Sequence, residues 1–84
     1  MTVNINVIFD SGLGELTISF NGDDRQVDQT TAEPVTFDNV SSGDIIEVNG
    51  SCTGTAKIVF DVATSPTTPK NYNAGPMHND FMID

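Results

Sequence analysis

Acidic and amide side chains are concentrated in one short stretch of the chain, where their oxygen atoms could bind a hard cation. Asp23, Asp24 and Asp28 follow Asn21 within eight residues. Calcium binds about six to eight oxygen ligands, so these three aspartates are the candidate calcium ligands. The spacing lacks the Gly and Glu positions of an EF-hand, and Asp and Asn also favour turns because they tolerate left-handed backbone. Both interpretations stay open: a calcium site, or a turn-forming cluster without a cofactor.

The chain contains one cysteine and one histidine, Cys52 and His78, which are the candidates for thiol-based nucleophilic catalysis. A reactive thiol needs positively charged neighbours or a hydrogen-bonded imidazole to favour the thiolate. The strongly negative composition of this chain does not provide such surroundings. We therefore predict no catalytic residues and no enzyme. A single cysteine also leaves no internal disulfide.

Carbohydrate binding is the other chemistry that the polar residues allow. Asn4, Asn6 and Asp10 form a polar row that could hydrogen-bond a sugar, although a solvated strand face has the same pattern. The chain has no Trp, Tyr72 is its only Tyr, and most of its five Phe fall on predicted inward faces. Few aromatic rings are therefore left to stack on a sugar.

The charge balance excludes two classes of partner. With 12 acidic and 3 basic residues, the formal net charge is −9. Nucleic acids and anionic membranes are bound through Lys and Arg, so we predict neither partner. No apolar run reaches the roughly 20 residues that span a bilayer, which predicts no membrane insertion. Ser, Thr and Asn supply much of the polarity, which favours an extracellular, cell-surface or virion setting.

The N-terminus lacks the basic segment and the continuous apolar segment of a secretory signal. Two expectations follow, and both stay open. Either the protein is made without a signal, or the chain is a mature domain that begins with a start Met.

The apolar residues favour β structure, because eight Val and seven Ile stand against two Leu. Residues 2–9 and 15–20 alternate apolar and polar side chains, which predicts two half-buried strands. Asn21-Gly22 predicts a tight hairpin turn after the second, followed by a short polar edge strand at about 25–30. We expect Gly22 and Gly43 to have positive φ angles.

Three apolar runs at 35–40, 45–48 and 56–62, separated by Gly-rich turns, predict an antiparallel meander. No segment has a helical period. Six to seven short strands indicate an all-β fold, a small two-sheet antiparallel β-sandwich of immunoglobulin-like or jelly-roll-like type. The predicted core is Ile5, Val7, Phe9, Leu16, Ile18, Phe20, Phe37, Ile46, Val48, Ile58 and Phe60.

The composition changes after residue 63, where three of the four prolines occur. We therefore predict a β-sandwich domain at 1–63 and a Pro-rich extended arm at 64–84 that ends in a short strand. Because the last residues regain Phe81, Met82 and Ile83, this strand is expected to pair with a sheet edge. We expect the arm to pack on its own domain or on a neighbouring copy, which makes self-association one expected partner mode. The alternative is a disordered terminus, because chain ends often fray.

These observations predict a non-catalytic structural or interaction module that binds a protein partner. Such a module would be an accessory domain of a bacterial surface or secreted protein, or a small phage virion component. The alternative is a ligand-binding module for calcium or carbohydrate on a β-sandwich.

Overall fold

The computed structural model describes residues 1–84 as nine β-strands without a helix. The strands are β1 (Val3–Phe9), β2 (Gly14–Phe20), β3 (Asp23–Asp28), β4 (Val35–Phe37), β5 (Ile45–Cys52), β6 (Ala56–Phe60), β7 (Thr64–Ser65), β8 (Lys70–Tyr72) and β9 (Gly75–Ile83). Two antiparallel sheets pack face to face, so the predicted two-sheet sandwich is confirmed.

The first sheet has the strand order β4-β1-β6-β8, and the second has the order β3-β2-β5-β9-β7. We call them the four-stranded and the five-stranded sheet. Alternation along each strand sets which side chains point into the sandwich. In β2, Leu16 and Ile18 are buried, while Glu15 is exposed on the opposite face.

The meander predicted for the central part of the chain is wrong. β4 and β6 both lie in the four-stranded sheet, on either side of β1, whereas β5 lies in the five-stranded sheet between β2 and β9. The two Gly-containing connections therefore cross between sheets instead of forming hairpins. Apolar runs separated by turns occur both in a meander and in strands that alternate between two sheets, so this local pattern did not distinguish the two arrangements.

The C-terminal segment contributes more structure than the extended arm predicted from its composition. Residues 64–84 form β7, β8 and β9, which join both sheets. β9 is nine residues long and pairs with β5 on one side and β7 on the other. The strand therefore pairs within its own sandwich, and it occupies an interior position instead of a sheet edge.

The core lies between the two sheets. Eight predicted core residues are buried, whereas Val7, Phe9 and Phe20 are only partly buried and pack at its margin. The residues that the prediction missed are Val3, Val27, Val35, Val40, Cys52, Ala56, Met77, Phe81 and Ile83.

The predicted β2–β3 hairpin turn at Asn21-Gly22 is present, although β3 spans Asp23–Asp28 and not the predicted 25–30. Asn21 has φ 51° and Gly22 has φ 83°, which is the pair of positive φ angles that a two-residue type I′ turn requires. Gly43 also has a positive φ, 91°, as predicted. The tight turn fixes the register of β3 against β2, and this register decides which β3 groups face solvent.

Candidate functional site

The three candidate calcium ligands lie on β3, but the structure does not bring them together. Asp23 and Asp28 are at opposite ends of the strand, about 17 Å apart at the rise of an extended chain. Asp24 points to the opposite face from Asp23, since successive side chains alternate. No group of three or more His, Cys, Asp or Glu side chains is arranged to hold a metal ion.

Each terminal aspartate of β3 instead has partners within the chain. Arg25 donates two hydrogen bonds to the Asp23 carboxylate, from Nε at 2.9 Å and Nη2 at 2.8 Å, and these bonds lower the pKa of Asp23. Asp28 accepts hydrogen bonds from the Thr30 hydroxyl and backbone N–H, which lower its pKa. These contacts organise the edge strand and the loop after it, which corresponds to the turn-forming interpretation.

The Arg25 side chain points towards the open side of the sandwich. Its guanidinium carbon lies 5.2 Å from the centroid of the Phe37 ring, and Phe37 in turn packs against Phe20. A cation above an aromatic face is attracted by the ring quadrupole. Arg25 therefore contacts Asp23 on its own strand and Phe37 on β4 of the other sheet.

Cys52 and His78 do not form a catalytic pair. Cys52 is buried at the end of β5, where its thiol contacts the carbonyl oxygens of Gly54 and Asn73 at 3.3 and 3.4 Å. His78 is exposed on β9, three positions along from the residue opposite Cys52, or about 10 Å. The two side chains also point to opposite faces of the sheet.

The polar row suggested for carbohydrate binding is partly used by the fold. The Asn4 amide donates to the Asp61 carboxylate at 2.9 Å and accepts from the Thr36 hydroxyl at 2.7 Å. These bonds tie β1 to β4 and to the end of β6. Asn6 and Asp10 are on exposed positions without side-chain partners.

Tyr72, the only tyrosine, connects the two sheets. Burial raises the pKa of Tyr72 to about 12, and its hydroxyl donates a hydrogen bond to Asn79 on β9.

The outer face of the five-stranded sheet carries the largest group of unpaired charges. Its exposed acidic side chains, which we call the acidic face, are Glu15, Asp24, Asp28, Glu47 and Asp80. Glu47 and Asp80 are directly opposite each other on β5 and β9. The sequence did not predict this face, because its members lie on four different strands and only the strand register places them side by side.

No lysine or arginine side chain lies on the acidic face, although His78 is exposed there beside Asp80. Lys57 and Lys70 belong to β6 and β8 of the four-stranded sheet, and Arg25 points to the inner side of β3. At one end of the face, Ile45 and Met82 form an exposed apolar pair, with 49% and 41% of their surfaces accessible. The face therefore combines negative charge with a small apolar contact area.

A shallow depression of about 230 Å³ lies on this face between β3, β2 and β5. Its floor includes Gly50, where a Cβ atom would stand 2.1 Å from the carbonyl oxygen of Glu15. Only glycine fits such a close approach of two strands. Its rim is polar and is formed by Glu15, Thr17, Gln26, Asp28 and Asn49.

Comparison with known proteins provides no relative. No family model matches the chain, no curated protein matches it, and no solved structure matches it. The structure contains no helix with the length and apolar character needed to cross a membrane.

Proposed function

We propose that this chain is a non-catalytic interaction module that binds a protein partner through the acidic face of its five-stranded sheet. The observation that carries the proposal is the segregation of charge. Five carboxylates share one sheet face, while the two lysines lie on the other sheet and the single arginine is held by Asp23. Such a field attracts positively charged surfaces and increases their association rate.

The register of the sheet also supports the proposal, because it places like charges side by side at a cost in stability. Glu47 and Asp80 are opposite each other, and like charges at a directly opposed pair destabilise a sheet. The Ile45 and Met82 pair at the end of the face adds apolar area that a partner can bury. A charged surface with a small apolar contact is consistent with a protein interface whose rim is polar.

The setting proposed for this module is an accessory domain of a bacterial surface or secreted protein, or a small phage virion component. The support is compositional: a small acidic β domain whose polarity comes largely from Ser, Thr and Asn. The immunoglobulin-like or jelly-roll-like type of the sandwich also stays a prediction.

Charge reversal on the acidic face tests the proposal. Proteins retained by the immobilised chain are identified, purified and bound again, and Kd is measured for wild type, Glu47→Lys and Asp10→Lys. Asp10→Lys changes the net charge equally but lies outside the acidic face. We expect Glu47→Lys to weaken binding and Asp10→Lys to leave it close to wild type. Equal effects of the two reversals, or no retained protein, would contradict the proposal.

The alternative is a ligand-binding module, and thermal melting tests it. A ligand that binds only the native state raises the melting temperature by mass action. The carboxylate positions give calcium little support, since Asp23 and Asp28 are at opposite ends of β3. A calcium-dependent increase in melting temperature that EDTA reverses would favour this alternative.

A further inference from the structure

The five-stranded sheet has one long unpaired edge, which is β3. This strand has six residues, whereas the other three sheet edges are β4 and β8 with three residues each and β7 with two. An edge strand presents unpaired N–H and C=O groups that can pair with another extended chain. β3 is therefore the edge with the most room for an added strand.

The hydrogen bonds between β3 and the loop that follows it show which main-chain groups of β3 point away from β2. Both main-chain groups of Asp28 bond to Thr31: the N–H donates to the hydroxyl at 3.1 Å, and the C=O accepts from the backbone N–H at 3.1 Å. The main-chain N–H and C=O of Asp28 therefore point away from β2. In an antiparallel pair the outward groups alternate, so those of Gln26 and Asp24 point outward too. No loop or side chain of the chain bonds to them.

Charge decides what kind of chain fits this edge. A second copy that paired antiparallel about Gln26 would place Asp24 of each copy opposite Asp28 of the other. Like charges directly opposite each other are unfavourable, and each copy has a net charge of −9. A basic strand would instead place its cations beside Asp24 and Asp28 and next to Glu15 on β2.

We propose that β3 binds an extended basic segment of a partner protein as an additional antiparallel strand, hydrogen-bonded to the main chain of Asp24 and Gln26. This inference rests on the proposed function and adds the chemistry of the partner and the binding mode. Main-chain hydrogen bonds supply affinity in such strand addition, and alternate side chains supply specificity.

The register predicts the pattern of the bound segment. Thr31 occupies the position directly opposite Asp28, so the added strand pairs with β3 from Asp24 to Val27. Side chains four positions apart project to the same face of a strand, so one cation opposite Asp24 and a second four positions before it both lie on the side of the acidic face. The position opposite Val27 lies at the margin of the core, where Val27 is 5% exposed, and takes an apolar side chain. The peptide acetyl-Thr-Lys-Val-Thr-Thr-Lys-Thr-amide meets these requirements.

Peptide titration followed by NMR tests the binding mode. We expect the amide signals of Asp24 and Gln26 to shift most, with slowed hydrogen exchange. A peptide of the same composition with its lysines three positions apart should bind more weakly, because residues three apart project to opposite faces of a strand in any register. Increasing the ionic strength from about 0.02 M to about 0.5 M should weaken binding of both peptides.

Methylation of single peptide nitrogens separates strand pairing from general charge attraction. The N–H of the middle Thr would bond to Gln26, and we expect its N-methylation to weaken binding by about tenfold or more. The N–H of the adjacent Val would point away from β3, so its N-methylation is the matched control. Equal effects at the two positions would overturn the proposal.

Variants of the protein give an independent readout. Gln26→Pro removes an outward N–H, which proline tolerates on an edge strand, while Gln26→Thr keeps it. We expect Gln26→Pro to abolish peptide binding and Gln26→Thr to preserve it. Asp24→Asn should weaken binding more than Glu47→Gln, which removes the same charge two strands away.

The failures of the two proposals are distinguishable. If the purified partner needs the acidic face but binds Gln26→Pro normally, the strand-addition proposal is wrong and the proposed function stands. If the matched peptide does not bind at low ionic strength, the strand-addition proposal is also wrong. A wild-type dimer that Gln26→Pro dissociates would show that a second copy occupies the edge and would overturn the basic partner.

Discussion

At the residue scale, the aromatic side chains differ in how much each contributes to the core. Phe81 is completely buried, and its ring centroid lies 4.8 Å from that of Phe60. We expect Phe81→Ala to lower the free energy of unfolding by about 3–5 kcal/mol, because it leaves a cavity between the sheets. Phe20→Ala should cost less, since Phe20 is only partly buried. Denaturant unfolding measures both, and equal losses would contradict this difference.

The hairpin turn provides a second prediction at this scale. A Cβ atom at Gly22 would meet nothing within 4 Å, so a substitution there is limited by backbone conformation and not by space. Gly22→Val should destabilise the protein by about 1–2 kcal/mol, because a branched residue is strained at positive φ. Gly22→Asn is the control, since Asn tolerates this region. Asp23→Ala should also be milder than Gly22→Val, and thermal melting ranks the three.

The Asp61 carboxylate should make stability depend on acid pH. The Asn4 backbone N–H and side-chain amide both donate to Asp61 at 2.9 Å, and these bonds lower its pKa. A pKa that folding lowers contributes stability above the unfolded value of about 4, and this stability is lost as pH falls through the folded value. The stability difference between wild type and Asp61→Ala should therefore be largest near neutral pH and shrink below about pH 4. A difference independent of pH would contradict this assignment.

At the element scale, β9 holds the five-stranded sheet together. It contributes Met77, Phe81 and Ile83 to the core, each at most 1% exposed, and it pairs with both β5 and β7. Deleting 77–84 should abolish cooperative unfolding, because it removes buried surface and leaves β5 with an open edge. Met82→Thr, at an exposed position of the same strand, is the control and should stay folded. A truncated protein with the wild-type melting temperature would contradict this role of β9.

At the scale of the whole molecule, the net charge of −9 should limit stability. Charge repulsion opposes the compact state, and Glu47 and Asp80 are one of the two directly opposed carboxylate pairs, with Glu15 and Asp28 the other. Glu47→Gln should therefore raise stability by about 0.2–1 kcal/mol at low salt, and the gain should shrink as salt screens the pair. Asp80→Asn should give a similar gain, and the double substitution should give less than the sum. Loss of stability in either single variant would show that the pair is not repulsive.

The features that the sequence by itself determined are those that depend on neighbouring residues. The alternation of apolar and polar residues correctly predicted that Ile5, Leu16 and Ile18 point inward. The Asn21-Gly22 pair correctly predicted a two-residue hairpin turn. Both signals arise from local geometry: the two-residue period of a strand, and the positive φ angles that Asn and Gly accept. The all-β class followed from the same patterns.

The candidate site illustrates the part that local patterns could not reach. Asp23, Asp24 and Asp28 are close in sequence, yet an extended strand separates them, so the grouping suggested by sequence does not bring their carboxylates together. On the acidic face, residues that are far apart in sequence are close in the structure: Glu47 and Asp80 are directly opposite each other on β5 and β9.

Tertiary structure alone decided which strands pair and where each one lies. The sequence pattern of β4, β5 and β6 predicted one meander, but these strands alternate between the two sheets. The composition around β9 predicted the end of an arm, but β9 lies in the interior of the five-stranded sheet. Pairing of strands distant in sequence depends on how all the apolar faces are buried together, which no short window contains. The edge position of β3 is set in the same way, and with it the main-chain groups that we propose bind a partner.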